Sequence, residues 1–284
     1  MHKSSAQSSV TRWLGGLIIR AANRAQAFRF AKGALGFCGL GVRITGGQAR
    51  GIPLAVPRGA AVRPATDALR QALFSSLAAR VSGARFLDLF AGSGAYGLEA
   101  LSRGAAGGLW VEKNKAALAC LERNLAAVLK SISTARATPG HHADLGENIP
   151  DDQTSRNALS PISIDSKEAQ RLSARQRRFG KTDGSSILNA DVNSPRWEPA
   201  AAALRPDLVF IDPPYEVIQA IAAPLFARLH ALLAAPAASP GQSDPLVVME
   251  LPGGLELKLD GWHCAKRLGG KGPRQPSLAL YTRL

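Results

Sequence analysis

The amino-acid sequence predicts an α/β protein built on a doubly wound, mostly parallel sheet, and three observations predict it. Short apolar runs of strand length recur along the chain, among them Arg85 to Phe90, Gly108 to Val111 and Leu208 to Ile211. Segments with leucines at helical spacing lie between them, such as Leu118, Leu121, Leu125 and Leu129. The tetrapeptide Ala91-Gly92-Ser93-Gly94 follows the first run directly and opens a helix, so strand, glycine loop and helix come in the order of a nucleotide-binding unit. Strands that alternate with helices become parallel neighbours, because the chain must cross back over the sheet before it adds the next strand.

Taken in order, residues 1–41 read as a basic, disordered extension. No acid occurs before Asp67, while that stretch holds ten Lys or Arg. The segment has the composition of an organellar targeting peptide, or of an upstream-extended start with the true start near Val42. A helix from Ala68 to Arg80 follows, capped by Thr66 or Asp67, with Leu69, Leu73 and Leu77 on its core face. After the strand at Arg85 and the glycine loop, a helix spans Ala95 to Arg103. The strand Gly108 to Val111 ends in Glu112, and a helix runs from Lys115 to about Lys130. Residues 131–186 are rich in Ser, Asp, Gln, Gly and Pro and poor in aromatics, which marks a flexible insertion. Its Arg171, Arg175, Arg177, Arg178 and Lys181 form either an RNA-binding arm or the decoration of a solvated loop. Ser186 to Asp191 reads as a strand ending in an acid. Val217 to Ala234 reads as a helix kinked or broken at Pro224. Strands are expected at Pro245 to Leu251, Leu255 to Leu259, Trp262 to Leu268 and Ser277 to Thr282.

Two motifs carry the chemistry. Asp212-Pro213-Pro214-Tyr215 closes the strand at Ile211. A carboxylate, two prolines and an aromatic at a strand's end can hold a planar amino group still. Asp212 accepts one N–H, the Pro213 carbonyl accepts the other, the prolines fix the turn, and Tyr215 offers a face for a base to stack on. The second motif is the glycine loop. Gly92, Gly94 and Gly97 fit the dinucleotide fingerprint, a weak match when it stands alone. Asp88, just before the loop, would repel a pyrophosphate but accept hydrogen bonds from an ammonium group. The Asp-Pro-Pro-Tyr strand has no role in hydride transfer. S-adenosylmethionine, with an amine, a ribose and an adenine but no phosphate, fits better. Glu112 is placed to bind both ribose hydroxyls, and Asp191 is the candidate for the adenine amino group.

The run Leu87-Asp88-Leu89-Phe90-Ala91-Gly92-Ser93-Gly94-Ala95-Tyr96-Gly97-Leu98-Glu99-Ala100-Leu101-Ser102-Arg103-Gly104-Ala105 resembles the cofactor motif of the bacterial 16S ribosomal RNA guanine-N2 methyltransferases, the family acting on guanine 966 of small-subunit rRNA. Arg43-Ile44-Thr45-Gly46-Gly47-Gln48-Ala49-Arg50-Gly51 resembles the family's opening hairpin. The stretch Arg63 to Phe74 resembles its R-P-T-x-D-R-V-R-E-x-L-F signature, with Ala65 in place of a threonine, Ala68 of an arginine and Gln71 of a glutamate. The resemblance covers about 43–130 and 187–284. It implies a Rossmann-like class I S-adenosylmethionine-dependent methyltransferase fold. The sheet would have seven strands with an antiparallel C-terminal edge, a hairpin and helix appendage at 42–82 and the methyltransferase domain at 83–284. It further implies that Phe90, Ala91, Gly92, Ser93 and Gly94 hold the cofactor, with Asp88, Glu112, Asp191 and Thr66. Arg43, Arg50, Arg58 and Arg63 would contact RNA from the appendage. The implied activity is methylation of the N2 amino group of a guanine in 16S rRNA, within an assembling small subunit. Two alternatives stay open. D-P-P-Y also occurs in enzymes that methylate the N6 amino group of adenine in DNA, and a non-catalytic ribosome-assembly factor could retain the fold and bind RNA.

Composition agrees with a nucleic-acid partner. The formal net charge is +14 and 46% of residues are hydrophobic, enough for a real core beneath a strongly basic surface. Cys38, Cys120 and Cys264 are too scattered for a metal site or a disulfide framework, and the histidine pair His141-His142 lacks a ligand pattern, so no metal is expected. No apolar run reads as a membrane span. The chain is expected to be a cytoplasmic monomer.

Overall fold

The computed structural model describes residues 41–57, 66–137, 184–234 and 244–284. The expectations for residues 1–40, for Arg58 and Arg63, and for the basic cluster at 171–181 lie outside the described residues.

Among the described residues, seven strands form one sheet: β1 (Arg85–Leu89), β2 (Gly107–Glu112), β3 (Ser186–Asn189), β4 (Leu208–Ile211), β5 (Leu246–Pro252), β6 (Trp262–Gly269) and β7 (Pro276–Arg283). Their spatial order is β3-β2-β1-β4-β5-β7-β6. The first five are parallel, and β7 lies antiparallel to both β5 and β6. This is the class I methyltransferase arrangement, antiparallel edge included. Chain order reverses between β1 and β4, and at such a switch point a crevice opens beyond the strands' carboxyl ends.

The described helices that accompany the sheet are α1 (Thr66–Ser76), the single turn α2 (Ala78–Val81), α3 (Ala95–Ser102), α4 (Lys115–Ala137), α5 (Glu198–Leu204) and α6 (Ile218–Leu233). They cover its two faces. One core gathers Leu69, Leu73, Leu98, Leu121 and Val128 from α1, α3 and α4 against Phe86, Trp110 and Phe210 of the sheet. The other gathers Ala201, Ile218, Leu225 and Phe226 from α5 and α6 against Leu87, Leu109 and Val209. Ile44, Ala49 and Leu54 belong to the first core, so the N-terminal segment shares its apolar interior with the main sheet.

Four local differences from the sequence expectation have physical causes. Helix α4 continues to Ala137, seven residues into the stretch read as irregular. Ile132 is buried and extends the stripe of Leu125 and Val128, while the Ser133 and Thr134 hydroxyls fold back onto the Lys130 carbonyl, both at 2.9 Å. Leu255 to Leu259 forms no strand. Leu255, Leu257 and Leu259 keep the alternating burial of one, but no described residue pairs with them. Pro224 lies inside α6 without ending it, because Ile221, Ala222, Leu225 and Phe226 on both sides of it are packed in the core. Finally, Tyr215–Leu233 does reach the length and hydropathy of a membrane span, contrary to the sequence reading. In the fold this segment lays its apolar stripe on the second core.

Candidate active site

Side-chain alternation along the strands decides which groups meet. Phe86, Trp110, Phe210 and Val248 point into the core under α1, α3 and α4. Two residues further along each strand come Asp88, Glu112, Asp212 and Glu250, which the two-residue period puts on that same face. Four carboxylates from four adjacent strands thus converge at the carboxyl end of the sheet. A cleft of about 710 Å³ opens there, and Phe90, Gly92, Glu112, Asp212, Pro213 and Glu250 line it.

The glycine loop forms its floor. Phe90 and Gly92 both have left-handed backbone, with φ of 58° and 55°. For a bulky residue such as Phe90 that conformation is strained, and strain of this kind gathers at ligand sites. The three glycines divide their work. A Cβ on Gly94 would lie 2.1 Å from Leu121, and one on Gly97 would lie 2.4 Å from the Trp110 indole, so these two permit helix and strand to pack. A Cβ on Gly92 would meet nothing closer than the Phe90 carbonyl at 4.0 Å. Gly92 alone of the three leaves its space open toward the cleft. Buried Asn124 of α4 holds the loop from behind, donating to the Ser93 carbonyl at 2.9 Å and bonding both backbone groups of Ala55.

Glu112 is preset. Its carboxylate accepts the Gly92 N–H at 2.8 Å and the Asn114 N–H at 2.7 Å, and it is 9% exposed at the cleft wall. Asp88 is not at the wall. It lies buried under the loop and accepts the Gly97 N–H at 3.0 Å, while its Oδ1 has no hydrogen-bond partner among the described residues. Burial pushes its pKa up to about 8, opposed by the Gly97 hydrogen bond and reinforced by the Glu112 charge. Between about pH 4 and about pH 8 the folded state therefore keeps a proton that the unfolded state has lost, and stability falls as pH rises through that window. Asp88→Asn should flatten the fall, read as a narrower gap between melting temperatures at pH 5 and pH 8. Equal gaps in the two proteins would assign the titration to another group.

The remaining sequence candidates are placed as follows. Asp212 and Pro213 line the cleft, and Pro214 is exposed at its mouth. Tyr215 is half-buried. Its ring packs on the second core and its hydroxyl lies 3.4 Å from Glu250, so its face is not among the lining groups. Asp191 lies between the lining residues Ala190 and Val192 but is not itself among them, and it is paired with Lys113 at 3.0 Å; the Asn193 N–H, then Lys113, hold its pKa below the ordinary value. Thr66 opens α1, and its side chain lies outside the described residues. Arg43 is exposed and 3.7 Å from Asp67. Arg50 lies in a turn pinned to Ser102, where the Gln48 N–H donates to the Ser102 carbonyl at 2.7 Å. Ser102 ends α3, about 10 Å along the helix from Ala95 at the cleft. The structure does not bring Arg50 to the cleft.

Three residues without a role in the sequence reading also belong here. Arg70, Tyr96 and Glu250 line the cleft, and all three are buried. The Tyr96 hydroxyl donates to Glu250 at 2.8 Å. Burial first, then the negative charges of Glu250 and Asp212, raises the Tyr96 pKa well above its ordinary value. An acid within the apolar run Leu246 to Leu251 was the sequence signal for Glu250.

Comparison with known proteins places this geometry. Residues 42–151 match the family model described as Conserved hypothetical protein 95. The chain is 52% identical over 85 residues to the ribosomal RNA small subunit methyltransferase D of Escherichia coli K12, a match covering 30% of this chain and 43% of that protein. It is 37% identical over 84 residues to the putative rRNA methyltransferase YlbH of Bacillus subtilis, covering 30% of this chain and 46% of that one. The matched segments thus span under half the length of these curated relatives. A solved structure of a hypothetical protein from Thermus thermophilus superposes with a TM-score of 0.51 at 27% identity, over 84% of this chain and 98% of its own. Motifs, family model and fold agree, and the chain is similar to the bacterial small-subunit rRNA methyltransferases that its motifs resemble.

Proposed function

We propose that this chain is an S-adenosylmethionine-dependent methyltransferase acting on the N2 amino group of a guanine in 16S rRNA, within an assembling small subunit. The observation that carries this reading is one cleft holding both the glycine loop with Glu112 and the Asp212-Pro213 turn. The names of the Escherichia coli and Bacillus subtilis relatives support the ribosomal RNA substrate.

The residues present fit the cofactor. Gly92 leaves open space at the loop, Glu112 is fixed by two backbone N–H groups with lone pairs left for a ribose, and Val111, Ala190 and Val192 give the cleft an apolar wall for an adenine. When bound, S-adenosylmethionine supplies a methyl group already activated on a sulfonium. The chain needs no strong base. Its task is to aim the nitrogen and exclude water. The amine's lone pair is delocalised into the ring, which makes it a poor nucleophile. Hydrogen bonds from the amine to Asp212 and to the Pro213 carbonyl favour a pyramidal nitrogen with its lone pair free. The Asp212 charge also stabilises the positive charge that develops there. A paired target base must first be extruded from its stack.

The test is labelled-methyl transfer to small-subunit particles lacking the modification, followed by mapping of the nucleotide. Transfer to DNA adenine instead, or cofactor binding with transfer to nothing, would replace this reading by one of its alternatives. Glu112→Ala should weaken S-adenosylmethionine binding by roughly 1–3 kcal/mol, the scale of a charged hydrogen bond. Unchanged calorimetric affinity would remove Glu112 from the site. RNA affinity should fall steeply with salt, and Arg43→Ala should reduce the slope by about one counterion's share while sparing cofactor binding. A slope identical to wild type would take Arg43 off the RNA.

A further inference from the structure

No acid follows Asp260, while the last 24 residues hold five Lys or Arg. Two of the five hold the fold together. Arg267 donates to the Pro252 carbonyl at 3.0 Å, and Arg283 pairs with Asp244 at 3.1 Å. Lys266, Lys271 and Arg274 are exposed, and none of them forms an ion pair among the described residues. Lys271 and Arg274 stand in the turn between β6 and β7, at the tip of the C-terminal hairpin. Hydrogen bonds hold that tip. The Gly270 N–H donates to the Pro276 carbonyl at 3.0 Å, the Gln275 N–H to the Gly272 carbonyl at 3.0 Å, and the Gly272 N–H to the Gln275 side chain at 3.1 Å. The turn after β5 clasps it, with the Gly253 N–H donating to the Gln275 carbonyl at 2.8 Å. A Cβ on Gly253 would lie 2.3 Å from the Gly270 carbonyl oxygen, so only glycine lets the two turns meet.

The register fixes where this charge stands. Pro276, the first residue of β7, pairs with Pro252, the last of β5. Strand β5 runs parallel to β4, so the tip lies at the same end of the sheet as the Asp212-Pro213 turn. From β4 to β7 is two strand spacings, about 10 Å across the sheet. The hairpin also abuts the first turn of α1, since a Cβ on Gly269 would lie 2.8 Å from Leu69. Arg43 stands beside that same turn, 3.7 Å from Asp67.

We infer that the β6–β7 tip is a second RNA contact, in which Lys271 and Arg274 hold phosphates flanking the target nucleotide. The inference rests on the reading that the substrate is RNA. At about 3.4 Å of rise per nucleotide along a stacked strand, a separation of about 10 Å reaches phosphates about three steps from the base at Asp212. The turn Gly270-Lys271-Gly272-Pro273-Arg274-Gln275 has no aromatic or large aliphatic side chain to anchor a protein partner. It offers charge on a held backbone, which is what phosphate contacts require and what positions a strand without reading its sequence.

The experiment measures affinity for protein-free 16S RNA across a series of salt concentrations, beside the KM for small-subunit particles lacking the modification. Replacing both residues, Lys271→Ala with Arg274→Ala, should lower the salt slope by about two counterions' share and weaken RNA binding at least about 10-fold near 0.1 M salt. KM for the particles should rise by a similar factor, with S-adenosylmethionine affinity unchanged by calorimetry. Lys271→Arg with Arg274→Lys keeps both charges and should keep the wild-type slope. An alanine double variant with the wild-type slope overturns the inference. So does a raised KM for particles with an unchanged slope on protein-free RNA, which would seat the tip on a protein of the particle. Wild type that binds 16S RNA without salt dependence brings down the RNA reading itself, a failure visible before any variant is made.

Discussion

Asp212→Ala is expected to slow single-turnover methyl transfer to small-subunit particles by about 100- to 1000-fold, the usual loss when one preorganised electrostatic contact is removed from a reacting centre. The backbone of Asp212 is fixed, since its N–H donates to the Leu89 carbonyl at 3.3 Å across β1 and β4. Strand alternation then aims the carboxylate into the cleft. Truncation to alanine leaves Pro213 as a single acceptor, which no longer fixes the orientation of a two-donor amine. Asp212→Asn keeps an acceptor oxygen but loses the charge, so its rate should fall between those of alanine and wild type. Cofactor affinity should survive both changes, because Gly92 and Glu112 lie on other strands' ends. A rate for Asp212→Ala close to wild type would detach the Asp-Pro-Pro-Tyr turn from the chemistry and remove the main support for the proposed function.

The second large effect is on stability. Glu99 of α3 is fully buried and accepts four hydrogen bonds: from the Thr45 N–H and hydroxyl at 2.8 Å each, from Arg103 Nε at 2.8 Å and from Arg70 Nε at 3.3 Å. Arg70 in turn donates to Asp67 at 2.7 Å and to the Arg43 carbonyl. This network joins α1, α3 and the N-terminal turn. Glu99→Ala removes the central acceptor and leaves the buried Arg70 guanidinium and the partly buried Thr45 N–H short of partners. Breaking a buried ion pair from one side costs about 3–5 kcal/mol. For a unit of this size that corresponds to a melting temperature lower by roughly 10 °C. Glu99→Gln should lose less, although its amide must face one of the arginine donors. Val42 and Val56 line the cleft, so loosening the turn should also weaken cofactor binding. Melting curves decide it: a loss under about 1 kcal/mol would mean that the arginines find other acceptors.

Much of the frame was legible from residue pattern because the pattern reports burial directly. Leu208 to Ile211 is a strand at the residues where the apolar run begins and ends, and the Gly92-Ser93-Gly94 loop stands where the glycines permit it. Acids closing the strands at Glu112 and Asp212 marked the cleft. Where the reading stopped, the missing information was the partner. Leu255, Leu257 and Leu259 alternate as a strand should, yet a strand exists only beside another, and none of the described ones adjoins them. Asn124 interrupts an apolar helical stripe, a visible sign of a buried polar duty, but its acceptors at Ala55 and Ser93 lie 69 and 31 positions away. Glu99 and Thr45 are 54 positions apart. Asp88 looked free to meet a ligand because sequence does not reveal how deep a strand residue sits.

The convergence of Asp88, Glu112, Asp212 and Glu250 on one face makes the sheet a ruler whose smallest division is a single residue. Inserting one residue before Asp212 within β4 would exchange it for its apolar neighbour Ile211 and send the carboxylate into the core beneath α6. An insertion of the same size in the loops that precede the strands leaves every phase untouched. Tolerance to length change in this chain should therefore be sharply two-valued along its sequence. Loops between elements can drift in length, whereas each strand must conserve odd and even, because parity rather than identity is what delivers these acids to a common place.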